Sequence, residues 1–321
     1  MIEWGLAALG LVILLLAGDA LVKGAVNLSL RLGVPALIVS LTIVAFGTSA
    51  PELLISVNAV LDGKPGLALG NVVGSNTANI LLVLGIPAIL SVLHTSECNT
   101  RKTYIFMLVG SVIFIALAFM GEFNIVSGLI LLALLSFVLI DAFLEAGRHR
   151  KANAALMLTE ADGEEDVEGA DPDMPWWQII VFLVLGLIGL PLGADLLVDN
   201  ASIIAQRYGV SDAVIGLTLV ALGTSLPELA TTVMAALRKQ ADVALGNVIG
   251  SNMFNLLAII GITALVGPIP VEAEFLQFDL WVMLGASLLI APFVFLKQDI
   301  GRFWGVALTG LYLAYVTIVL T

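Results

Sequence analysis

Apolar stretches long enough to cross a bilayer follow one another along nearly the whole 321-residue chain. A membrane helix needs roughly 20 such residues. Runs of this kind lie near 5–30, 35–60, 67–93, 103–120 and 124–147, and again near 176–205, 212–237, 243–266, 274–296 and 303–320. Hydrophobic types make up 60% of the chain and charged types 12%, with a mean hydropathy of +1.09. A soluble protein has no place to hide that much apolar surface, because its exterior must be wetted. The expected fold class is an all-α integral membrane protein with ten transmembrane helices.

The two sets of runs repeat each other. Residues 45–52 read AFGTSAPE and residues 221–228 read ALGTSLPE. Residues 68–79 read ALGNVVGSNTAN and residues 244–255 read ALGNVIGSNMFN. Both pairs are offset by 176, and the same offset relates Asp19 to Asp195, Gly33 to Gly209 and Thr42 to Thr218. A constant offset over such a span means duplication. Five helices per copy is an odd number, so the second copy enters the membrane from the opposite side, which gives two inverted five-helix repeats with a site near the midplane. The expected units are 1–147, a charged linker at 148–175, and 176–321.

Charge sets the expected orientation. With the N-terminus outside, the inner side holds Arg31, Arg101, Lys102, Arg148, Arg150, Lys151, Arg238, Lys239, Lys297 and Arg302, against Lys64 and Arg207 outside. Both termini then lie outside and the linker is cytoplasmic, in a multi-pass protein of the plasma (inner) membrane. The net charge of −12 is concentrated in residues 160–173, EADGEEDVEGADPD, which reads as a solvated linker. No cleavable signal peptide is expected. Cys98 is alone, so no disulfide framework exists; His94 and His149 are expected in loops, and no His/Cys cluster has zinc-ligand spacing.

Glu52 and Glu228 fall deep in apolar helices, where a carboxylate is costly and usually functional. Thr48 is four residues before Glu52, and Thr224 four before Glu228, so each pair shares a helical face. Ser49 and Ser225 lie beside them. Pro51 and Pro227 lack an amide hydrogen and crowd the carbonyls of Gly47 and Gly223, so the helix is expected to open there and free backbone oxygens. In the second block Asn71, Ser75 and Asn79 form a polar stripe, repeated as Asn247, Ser251 and Asn255. Asn76 and Asn252 flank it and are placed to brace a neighbouring helix. Gly70 with Gly74, and Gly246 with Gly250, are spaced for close helix packing.

These side chains are hard oxygen donors. Calcium takes roughly six to eight oxygens with carboxylates supplying charge, whereas magnesium keeps its water. Sodium can use the same oxygens. Two carboxylates balance one Ca²⁺. About 4 Å apart at an effective dielectric near 20, they would repel by roughly 4 kcal/mol when empty. Sodium ions or protons should therefore refill the site when calcium leaves, which favours exchange over leak. A passive cation channel is the competing class. An enzyme is disfavoured because the chain offers no nucleophile–histidine pair.

The paired GTSxPE and GNVxGSNxxN blocks resemble the alpha repeats of the sodium/calcium exchanger family, within the cation/calcium antiporter superfamily. The likeness covers nearly the whole chain, and its brevity resembles the prokaryotic branch. It implies ten helices, inverted repeats and alternating access, with Ca²⁺ and Na⁺ as transported ions and no cofactor. It implies cation sites lined by Glu52, Thr48, Ser49, Ser75 and Asn79, and by Glu228, Thr224, Ser225, Ser251 and Asn255. The carbonyls of Ala45 and Ala221 resemble the family's sodium-coordinating backbone oxygens. Many relatives carry aspartate at the place of Asn255, including the potassium-dependent ones, so potassium co-transport is disfavoured. Vacuolar-type calcium/proton exchangers carry Asn-Ala-x-Glu instead of Gly-Thr-Ser-x-Pro-Glu. Sodium is thus the first choice of driving ion and the proton the second. The expected partners are these ions and the lipid bilayer, with no nucleic acid.

Overall fold

The computed structural model describes residues 2–156, 171, 173–209 and 221–320. The expected linker from 157 onward, apart from residues 171 and 173–175, and the start of the run at 212–237, including Thr218, lie outside the described residues. The helices are α1 (Ile2–Leu32), α2 (Ala36–Thr48), α3 (Ala50–Leu61), α4 (Pro65–Leu90), α5 (Arg101–Ala118) and α6 (Ile125–Leu156). They continue as α7 (Trp176–Arg207), α8 (Leu226–Leu237), α9 (Ala241–Val266), α10 (Phe275–Phe295) and α11 (Arg302–Leu320). A two-residue ribbon, Glu122–Phe123 against Ile269–Pro270, is the only sheet among the described residues. The molecule is an all-α, multi-pass membrane protein. Among the described residues, eight helices are long and apolar enough to span, or nine when α2 and α3 count as one bent span.

The helices differ in what they face. In α4 and α9, 83% and 89% of the most apolar window is buried, against 17–39% in the other six. The two motif-bearing helices are therefore the core, and the rest present Leu, Ile, Val and Phe side chains outward, as lipid-facing helices do. Close contact of backbones holds the centre together. A Cβ on Gly246 would lie 2.8 Å from that of Ser40, and one on Gly250 2.6 Å from that of Ala45, so α9 sits directly on α2.

Helices α1 and α7 form an antiparallel pair along another seam. Gly10 abuts Gly193 and Leu197, Gly186 abuts Leu21, and Gly24 abuts Leu183. Position numbers fall along one helix as they rise along the other. Both helices end at a glycine of left-handed backbone, Gly33 (φ 65) and Gly209 (φ 82), which lets the chain turn back without a Cβ clash. Arg207 and Glu3 pair at one end of this seam, and Arg31 holds the carbonyl of Met174 at the other.

Two expectations change here. Helix α6 runs on to Leu156, so residues 148–156 of the expected linker are helical, and His149 lies on a helix instead of in a loop. His94 does lie in the 91–100 loop, where it binds Asp299, and Cys98 is a buried free thiol in that loop. The carboxylate of Asp19 pairs with Arg238, and Lys23, four residues further along α1, sits over the Phe182 ring.

Candidate cation-binding site

Pro51 and Pro227 each occupy the first turn of a helix, α3 and α8. A proline there needs no hydrogen-bond partner, but the preceding helix cannot run through it. The chain accordingly breaks at Ser49 (φ −86, ψ 4) and at Ser225 (φ −88, ψ 0), and α2 and α3 meet at a 43° bend. Each break places its glutamate in the first turn of the new helix, where the dipole favours an anion.

Glu52 and Glu228 are both fully buried, and their carboxylates are near enough to interact electrostatically. The Ser49 hydroxyl, at the break in the first copy, donates to Glu228 Oε1 in the second, at 3.2 Å. Thr48 Oγ1 donates to Asn247 Oδ1 at 3.3 Å and lies 3.4 Å from Ser251 Oγ. In the mirrored position Ser225 meets Ser75, 3.3 Å away, and Asn255 Nδ2 donates to Ser75 Oγ at 3.2 Å. Asn79 Nδ2 donates to Asn252 Oδ1 at 3.0 Å. All of these residues are buried.

The expected site residues thus converge: Glu52, Glu228, Thr48, Ser49, Ser225, Ser75, Ser251, Asn79 and Asn255 form one polar knot in an apolar interior. Thr224 is half-buried at the turn before α8, and Ala221 opens the single helical turn Ala221–Gly223. The Ala45 carbonyl, which the resemblance implies as a sodium ligand, is not free. It accepts from Ser49 N at 3.0 Å, and Thr48 Oγ1, whose single proton has Asn247 Oδ1 as the alternative acceptor, lies 3.3 Å away.

The asparagine stripe divides by role. Asn71 Nδ2 donates to the Glu52 carbonyl (3.3 Å) and to Ser56 Oγ (3.1 Å); Asn247 Nδ2 donates to the Glu228 carbonyl (3.3 Å) and to Thr232 Oγ1 (3.1 Å). These two amides hold the broken helices in place. Asn76 Nδ2 donates to the Asn252 carbonyl at 3.2 Å, and Asn252 Nδ2 to the Asn76 carbonyl at 3.4 Å. That reciprocal pair stitches α4 to α9. Asn79 opens a π-helical stretch, Asn79–Val83, and Asn255 lies in another, Phe254–Ile259. Such wide turns often mark functional sites, because they re-aim side chains. Ser56 and Thr232 went unnoticed in the sequence, although the 176 offset relates them and both stand four residues after the glutamates.

Five buried oxygens of this knot have no hydrogen-bond donor: Glu52 Oε1 and Oε2, Glu228 Oε2, Asn79 Oδ1 and Asn255 Oδ1. Buried polar atoms are nearly always paired. The nitrogens of both asparagines are spent on neighbours, which leaves their oxygens as buried acceptors without a donor. A cluster of donor-less oxygens that includes two carboxylates is what a hard cation requires.

A bundle of spans around a buried, acidic, oxygen-lined knot defines a membrane transporter of cations. The family model described as sodium/calcium exchanger protein matches residues 2–143 and 178–321, and the chain belongs to that family. It is 34% identical to the sodium/calcium exchanger MaX1 of Methanosarcina acetivorans, over 97% of this chain and 96% of that one. It is 33% identical to the inner membrane protein YrbG of Escherichia coli, over 97% and 94%. Its fold matches the solved structure of the sodium–calcium exchanger NCX_Mj soaked with Na⁺ and Sr²⁺, with a TM-score of 0.82, 32% identity and 99% and 98% coverage.

Proposed function

We propose that this chain exchanges Ca²⁺ for Na⁺ by alternating access. The carrying observation is the set of five buried, donor-less oxygens around two carboxylates. In this reading Glu52 and Glu228 bind Ca²⁺, with hydroxyls and amides from Thr48, Ser49, Ser75, Asn79, Thr224, Ser225, Ser251 and Asn255 and the carbonyls of Ala45 and Ala221 completing the Ca²⁺ and Na⁺ positions. The Thr48 hydroxyl would turn away from Ala45 to release that carbonyl.

The charge balance supports an exchanger. Asparagine at both 79 and 255 leaves the knot with two acids, whose formal −2 matches one Ca²⁺. An emptied pair of buried acids is unfavourable, so replacement cations should accompany the return step. Sodium is the counter-ion named for the relative MaX1 and for NCX_Mj. The proposed frame is ten spans in two inverted repeats, 1–147 and 176–321, joined by a cytoplasmic acidic linker at 148–175, with both termini outside. The antiparallel α1–α7 seam supports the inversion.

The test is calcium uptake by proteoliposomes holding the full chain. An outward sodium gradient should drive uptake that stops when the gradient is collapsed. Uptake that ignores sodium but stops when the pH gradient is collapsed would replace sodium with the proton. Flux that follows only calcium's own gradient would make the protein a channel.

A further inference from the structure

The two copies are not equally closed. Helix α1 packs on α8, with Gly18 against the backbone of Ala230 and Thr231: a Cβ on Gly18 would lie 3.0 Å from the Ala230 carbonyl. Ala230 is 6% exposed and Thr231 is fully buried. At the far end of α8, Arg238 Nε donates to Asp19 Oδ1, and both side chains are largely covered. The mirrored closure would bring α7 onto α3. Among the described residues no comparable packing joins them, and Leu54 and Ile55, the counterparts of Ala230 and Thr231, are 65% and 44% exposed.

The sequence explains why one closure is favoured. Shifting each contact by 176 turns Gly18 into Ala194, Ala230 into Leu54, and the Asp19–Arg238 pair into Asp195 and Asp62. The mirrored surfaces carry an extra methyl and a larger side chain where α1 and α8 approach most closely. Where α1 and α8 carry opposite charges, α7 and α3 carry two acids. Two like charges brought together oppose closure, while the ion pair favours it.

We propose that the Asp19–Arg238 pair, seated beside the Gly18 contact, is a one-sided latch that biases the resting protein toward the state shut between α1 and α8. It rests on the alternating-access reading, in which the two copies exchange conformations. Inverted repeats of equal sequence would leave the two states nearly balanced; the latch breaks that balance. The side it shuts is the one bearing Arg31 and Arg238, the inner side by charge. A partly covered pair of this kind shifts a two-state ratio by about fivefold.

Amide hydrogen exchange on the full-length protein in lipid nanodiscs tests this. Asp19→Asn and Arg238→Gln should each speed exchange over 226–237 by about fivefold and slow it over 50–61. The swapped pair, Asp19→Arg with Arg238→Asp, should restore the original pattern. Asp62→Arg, which gives the mirrored closure its own ion pair with Asp195, should move exchange in the same direction as loss of the latch. Unchanged exchange in the single variants overturns the proposal. So does faster exchange in both segments together, which marks a merely structural bond, or a swapped pair that fails to restore. Sodium-driven calcium uptake measured on the same samples separates the two claims. Uptake indifferent to sodium with a shifted exchange pattern sinks the transport reading and leaves the latch, whereas coupled uptake with an unmoved pattern sinks the latch alone.

Discussion

Glu52 and Glu228 sit in the same motif, at the same helix position and at the same full burial, yet they are held differently. Ser49 donates to one oxygen of Glu228. Neither oxygen of Glu52 has a donor. The mirror of Ser49 is Ser225, and it turns to Ser75 instead of to Glu52. Duplication supplied two equal acids, and packing has made one a fixed wall and the other an open hand. In the proposed site this would give the cation one prepositioned carboxylate and one stabilised chiefly by the cation itself.

The largest effect should come from the acids. Glu52→Gln and Glu228→Gln should each cut calcium transport on the order of a hundredfold while insertion in the membrane is preserved, since each removes half the charge facing a divalent ion. Preserved transport in both variants would break the site assignment. The comparison is sharpened by the serines. Ser49→Ala removes a hydrogen bond to a carboxylate, a type that contributes about 1.5–3 kcal/mol, and should lower calcium transport by about tenfold or more. Ser225→Ala removes a contact between neutral hydroxyls, about 0.5–1.5 kcal/mol, and should cost about threefold, read mainly in the apparent sodium dependence. Equal losses from the two serines would show that the acids are held alike during transport.

Much of this was legible before any coordinates. The apolar runs announce the spans, because lipid tolerates only helices whose backbone groups are satisfied within themselves. Buried acids beside Gly-Thr-Ser-x-Pro announce the knot, because such residues are expensive in lipid. The partner of each polar group was not legible. Helical spacing says that Asn71, Ser75 and Asn79 share a face, but not that Asn71 turns back to hold the Glu52 carbonyl while Asn79 donates to Asn252 and keeps a donor-less oxygen. A π-helical stretch shifts the register that spacing arguments assume, and Asn79 and Asn255 both lie in one. Asp19 illustrates the same limit: its partner is Arg238, 219 positions away, which no spacing within a helix can point to.

The smallest predicted effect lies where the two copies share a backbone and differ in a side chain. Helices α3 and α8 end alike. Lys64 N donates to the Ala59 carbonyl and Gly63 N to Val60; Gln240 N donates to Ala235 and Lys239 N to Ala236. This is a Schellman cap, whose turning residue adopts left-handed backbone. Gly63 fills it at φ 73 in the first copy and Lys239 at φ 55 in the second. A side chain in that conformation costs roughly 1–2 kcal/mol, offset in part by the greater freedom that glycine loses on folding, roughly 0.4–1 kcal/mol. Lys239→Gly should therefore raise stability slightly, by about 0.5–1 kcal/mol, and Gly63→Lys should lower it by a similar amount, since a Cβ there meets no atom within 4 Å and only the backbone is strained. Thermal unfolding in detergent checks both. A fall in stability for Lys239→Gly would mean that the lysine side chain, on the side rich in positive charge, contributes more than its backbone conformation costs.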